Sequence, residues 1–169
     1  MVRPEYLLDS WKTVRADTIA ALEEFPADKL DLNPAEGLMT VRQMATHILH
    51  AGYGITGIML DGSENLQTPD FRDLIMKHAA KLGETPDVPS LAAALRKSVE
   101  EQCERLATQS AEWFAHVITR FDGQRVTRLE LVMMVKEHEL THRSQMFVAM
   151  RLQGAVPPTT RRRLAAQKK

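Results

Sequence analysis

The chain has 169 residues, 44% of them hydrophobic, with 22 basic and 22 acidic side chains and one cysteine. A chain of this length can bury a core as one domain without staples, and one cysteine excludes an internal disulfide framework. No apolar run approaches the roughly 18 to 20 residues that span a bilayer, and Met1-Val2-Arg3-Pro4-Glu5 carries no apolar signal region, so a cytoplasmic protein with no membrane partner is expected. The charge is unevenly spread: Arg161, Arg162, Arg163, Lys168 and Lys169 leave 17 basic against 22 acidic residues over 1–160. An acidic body argues against nucleic acid as a partner. The expected organisation is one domain over residues 1–158 and a flexible basic tail over 159–169.

Pro4 suits the first turn of a helix, and Leu7, Trp11, Val14, Thr18, Leu22 and Phe25 follow at three- and four-residue spacing. A first helix should therefore run to about Phe25, where Pro26 and then Asn33-Pro34 interrupt it. Thr40-Val41-Arg42-Gln43 has the form of a capping box and opens a second helix with the stripe Val41, Met44, Ile48, Ala51, Ile55 and Ile58. His47 falls on that inward stripe. The glycines at 52, 54 and 57 weaken the helix but permit close approach of another helix or a ligand.

A short amphipathic piece follows, with Phe71, Leu74, Ile75, His78 and Leu82 on one side. Ser90 is the expected cap of a third long helix with Leu91, Leu95, Ser98, Gln102 and Leu106 inward, and Cys103 packs there as a small apolar residue. Trp113 to Thr127, with Asp122-Gly123, reads as a small hairpin, a loop or a short helix. Thr127-Arg128-Leu129-Glu130 is a second capping box, and the last helix it opens ends before Gly154 and Pro157-Pro158. The sum is an all-α chain: four long helices with one short helical or loop excursion.

The last helix carries His138-Glu139-Leu140-Thr141-His142. Two histidines four apart share one helical face and can reach a single metal ion, and H-E-x-x-H is also the short signature of zinc proteases. A protease would take its third ligand downstream, yet the 27 residues after His142 contain no Asp, Glu or His. That makes a protease the remote alternative. Among His47, His50, His78 and His116, only His47 lies on a long helix and on its inward stripe, so it is the natural third ligand. Three protein ligands leave a position open for water or substrate, which suits chemistry better than a purely structural site. Glu139 occupies the protease base position, but a glutamate beside an inward stripe is more often solvated or bonded to a neighbouring histidine. His50, three residues after His47, reads first as a surface histidine; the other reading, as a second candidate catalytic residue, has it line the cavity or orient a ligand. His78 and His116 read as structural.

Thr40 to Ile48 together with Glu137 to Met146, ending in Gly154 and Pro157-Pro158, resembles the DinB-like (YfiT-like) family. The arm Leu22 to Pro34 looks similar too. The resemblance implies an up-down-down-up four-helix bundle in which His47, His138 and His142 hold a divalent metal such as Zn or Ni. Gln145 falls at the family's usual glutamine. It also implies a homodimer and a small-molecule substrate, with a low-molecular-weight thiol or water activated by the metal, S-transfer being the favoured class and hydrolysis the next. The competing expectation is a non-catalytic helical metal-binding or stress-related protein.

Overall fold

Both capping boxes form. Thr40 Oγ1 accepts from the Gln43 amide while the Gln43 side chain accepts from the Thr40 amide, and Thr127 and Glu130 repeat the exchange. These two reciprocal caps fix the starts of the helices that carry all three candidate ligands. The structure, a computed structural model, describes residues 3–168. Its elements are α1 (Pro4–Glu23), a 3-10 turn (Ala27–Lys29), α2 (Val41–Leu60), α3 (Phe71–His78), α4 (Val88–Ala107), α5 (Ala111–Ala115), β1 (Val117–Thr119), β2 (Arg125–Thr127), α6 (Arg128–Leu152) and α7 (Pro158–Ala166). No helix among the described residues is long and apolar enough to cross a membrane.

The long helices α1, α2, α4 and α6 make the bundle. Ser10 meets Lys136 and Asp17 meets Arg143, so α1 and α6 run parallel. Leu8 meets Cys103 and Glu23 meets Arg96, so α1 and α4 run antiparallel. Arg42 reaches the Pro86 carbonyl and Tyr53 reaches Glu101, which makes α2 and α4 parallel. The order is thus up-down-down-up. Parallel α2 and α4 require a crossover along the bundle, and residues 61–87, including α3, supply it.

The core is divided in two. One half joins Ile19, Leu22, Met44, Ile48, Leu95, Met146 and Ala149, and the other joins Leu8, Trp11, Ile55, Met59, Val99, Leu131 and Val135. Between them lies a buried polar layer that includes Arg15, Thr18, Ser98 and Glu139, with His142 on its edge.

Three details depart from the sequence expectations, and in a fourth place two of the expected alternatives form side by side. Helix α1 stops at Glu23, because Pro26 disfavours helical backbone at the residue before it, although Phe25 still packs into the core at 4% exposure. The cap of α4 is Asp87, whose carboxylate accepts from the Ser90 amide; Ser90 itself sits inside the first turn behind Pro89. The hairpin forms, with Ile118 opposite Val126, but a short helix α5 precedes it. The segment expected to be a flexible tail folds as α7, started by Pro158 and tied to α1 by Arg161 on Glu24 and Arg162 on Asp17.

Gly54 and Gly57 cut a notch in α2 for α3. A Cβ on Gly57 would stand 2.4 Å from His78 Cγ, and one on Gly54 would stand 2.6 Å from Ile75 Cδ1. Gly57→Ala is therefore expected to lower stability by about 1–3 kcal/mol through overpacking. Alanine normally improves a helix interior by up to about 1 kcal/mol, so the sign of the change in a urea titration decides whether α3 is seated there.

Candidate metal centre

His47 comes from the first half of α2, His138 and His142 from consecutive turns of α6. The antiparallel pairing of α2 and α6 sets the rings face to edge, with centroids 4.5–4.9 Å apart. Their Nε2 atoms converge: His47 to His138 is 3.0 Å and His142 to His138 is 3.1 Å. All three ligand atoms lie within 4.8 Å of one another, a group that could hold a metal ion. Tetrahedral ligands at about 2.0–2.1 Å from zinc stand about 3.3 Å apart, so the spacing suits such an ion.

The donor chemistry fits as well. His142 Nδ1 lies 2.8 Å from Gln145 Oε1, an acceptor, so Nδ1 carries the proton and Nε2 presents its lone pair. His138 Nε2 has one in-plane site, either a proton or a lone pair, for two neighbouring nitrogens. A cation at the point of convergence satisfies all three lone pairs at once. Burial, reinforced by the neighbouring histidines, holds the His138 imidazole at about 4, below its ordinary 6.5, and burial lowers His47 too. Both rings are thereby kept neutral, as ligation requires.

These shifts give a pH dependence for the metal-free protein. An unfolded imidazole titrates near 6.5, so between about 6.5 and 4 the unfolded chain binds more protons than the folded one at His138. Stability is then full above that window and falls as the pH drops through it. Thermal melts in chelator are expected to show a declining midpoint from pH 7 to pH 4.5, smaller in His138→Gln; a parallel decline in both proteins would assign it elsewhere.

Glu139 points elsewhere. One residue on from His138, its side chain is rotated about 100° around α6 and faces α1. It is 1% exposed, and its carboxylate accepts four hydrogen bonds, from Arg15 Nε (2.7 Å), Arg15 Nη2 (2.9 Å), Trp11 Nε1 (2.8 Å) and Thr18 Oγ1 (2.8 Å). The expectation of a solvated or histidine-bonded glutamate is corrected: every lone pair is already used inside the bundle, so Glu139 has no capacity to act as a base. Arg15 completes the layer by donating from Nη1 to the Leu95 carbonyl (2.8 Å) and to the Ser98 hydroxyl. Arg15 is not among the residues expected at the site, yet it carries a signal: a charged residue between Val14 and Thr18, four after Trp11, on the inward face of an apolar stripe.

A cavity of about 660 Å³ lies against His47. One wall is α2, with Arg42, Thr46 and His50; the other is the end of α3 and the segment after it, with Met76, Ala80 and Leu82. His50 is thus placed at the cavity, half-buried, with the Ala80 backbone against its ring. His78 is drawn instead to Asp61 (3.1 Å) and His116 to Glu64 (3.0 Å), so both have structural partners away from the triad. Cys103 is 2% exposed, and burial pushes its thiol up to about 11, in keeping with packing.

The sequence matches the family model described as the DinB family over residues 1–168. No curated protein matches it. Among solved structures it is similar to a DinB-like protein from Bacillus cereus, at 24% identity and TM-score 0.69, with 91% of this chain and 95% of that one covered. A DinB-like protein from Bacillus subtilis gives 20% identity and TM-score 0.69 over 89% of this chain and 94% of that one. YfiT from Bacillus subtilis, described as a probable metal-dependent hydrolase with an unusual four-helix bundle topology, gives 20% identity and TM-score 0.65, covering 90% and 88%.

Proposed function

Because the chain belongs to the DinB family, we propose that His47, His138 and His142 hold a divalent metal ion and that the protein is a metal-dependent enzyme acting on a small molecule in the adjoining cavity. The observation that carries this reading is the convergence of three Nε2 atoms beside a cavity large enough for a substrate. When bound, such an ion supplies Lewis acidity, lowering the pKa of water or a thiol on its open side. Hydrolysis is the first reaction to assay, supported by the likeness to YfiT; S-transfer from a low-molecular-weight thiol is the other reaction the same ligand set would serve.

The chain's own contributions are positional. Gln145 fixes the proton of His142 on Nδ1 and so aims Nε2 at the centre. The Arg15–Glu139 pair sets the rotation of α6 about its axis, and with it the direction of His138 and His142. His47, the exposed member of the three, is the one that lines the cavity, and His142, at 9% exposure, is the most buried.

Elemental analysis of protein purified from its native host, followed by titration of chelated protein with Zn²⁺ and Ni²⁺, tests the reading. One equivalent of metal and metal-dependent turnover of small esters or thiol acceptors are expected. Protein that neither contains nor binds either ion would remove it in favour of a non-catalytic bundle.

A further inference from the structure

We propose that His50 is the proton-accepting residue of this site, taking a proton from the attacking nucleophile in the cavity next to His47; the inference rests on the metal-dependent reading above. Three observations carry it. First, His50 stands three residues after His47 on α2, so both rings project from one helical face, and both line the same cavity. Second, it is outside the group of three whose ligand atoms converge, which leaves it free for proton transfer. Third, Ala80 faces His50 from the opposite wall of that cavity, where its backbone carbonyl can accept a hydrogen bond from one ring nitrogen and leave the other as a base.

The other candidates are committed. Glu139 spends its carboxylate on Arg15, Trp11 and Thr18, His78 faces Asp61 and His116 faces Glu64. The charged groups around His50 on the cavity wall are Arg42, Lys77, Lys81 and Glu84, with His47 beside it on α2. Arg42 is held in a fork by Asp31, and Lys77 by Asp61. Burial keeps the His50 ring neutral below its ordinary range, in the form that accepts a proton.

With an ester as substrate, water is the nucleophile. A water O–H bond breaks and its proton goes to the free nitrogen of His50 while the oxygen bonds to the carbonyl carbon, whose π pair moves to the carbonyl oxygen. Collapse of that adduct breaks the carbon–oxygen bond to the leaving group, which departs with the pair. The proton on His50 passes to the leaving oxygen or, for a stable phenolate, to solvent.

Zn²⁺-loaded protein and 4-nitrophenyl acetate provide the test, together with acylation of histidines by diethyl pyrocarbonate mapped by peptide mass. His50→Gln is expected to keep one equivalent of zinc and lose about 10²-fold or more in kcat with little change in KM. His50→Ala is expected to regain part of that rate in added imidazole. In wild-type protein diethyl pyrocarbonate should label His50 ahead of His78, and labelling should track loss of turnover. A wild-type protein with no zinc-dependent turnover would overturn the functional reading and this inference with it. Turnover that survives intact in His50→Gln, loss of zinc in that variant, or a His50 that stays unlabelled would overturn this inference alone.

Discussion

Glu139→Ala is expected to destabilise the protein by about 3–5 kcal/mol, the largest effect of any single substitution considered, although it touches neither the triad nor the cavity. Truncation removes the acceptor of four hydrogen bonds and leaves the Arg15 guanidinium, 1% exposed, without its counter-charge. The Trp11 indole and the Thr18 hydroxyl lose their partner in the same stroke. Urea denaturation of metal-free protein measures the cost. Replacing Arg15 and Glu139 together with apolar residues of similar volume should recover much of the loss, since an unpaired buried charge is the dominant penalty. A Glu139→Ala protein within about 1 kcal/mol of wild type would mean that the carboxylate does not hold α1 to α6.

His142→Ala is expected to abolish stoichiometric metal binding while leaving the fold intact. His142 is the ligand with the least exposure and with a partner for its second nitrogen, so its Nε2 is the best aimed of the three. Removing it leaves two ligands on different helices. Gln145→Leu provides the graded comparison: the three imidazoles remain, but the tautomer and orientation of His142 are no longer held, and a 10–100-fold loss of metal affinity is expected. Competition titrations against a chelator distinguish the two cases. A His142→Ala protein that keeps one equivalent of metal would remove the triad from consideration.

Much of this architecture is written locally in the chain. Thr40 and Thr127 announce their helices because a capping box is a four-residue device, complete without knowledge of the rest of the molecule. His138 and His142 share a face for the same reason, whereas His47 joins them from the rim of its stripe, exposed where the pattern of α2 places it inward. What escapes a linear reading depends on partners far along the sequence. Glu139 looks like a solvated or ligand-assisting residue until Arg15, 124 positions away, is placed opposite it. The C-terminal segment looks like a frayed basic tail until Glu24 and Asp17 meet Arg161 and Arg162. Asp87 takes the cap from Ser90 through a choice between two capable residues three apart, which spacing alone leaves open. The placement of residues 76–86 across from His50 depends on the α2 glycine notch, whose occupant the sequence does not name.

The antiparallel meeting of α2 with α6 has a consequence for how the protein is made. His47 and His138 are separated by 91 residues, and the Trp11–Glu139 bond that sets α6 against α1 spans 128. Contacts of such separation close loops whose entropy must be overcome before they stabilise anything, so they form late for a helical protein. During synthesis the first three long helices, α1, α2 and α4, are complete while α6 is still to come, and His47 meets neither His138 nor His142 until α6 has left the ribosome. The three-histidine group is therefore among the last features of the fold to be assembled, and the newly made chain passes through most of its folding before its three ring nitrogens converge.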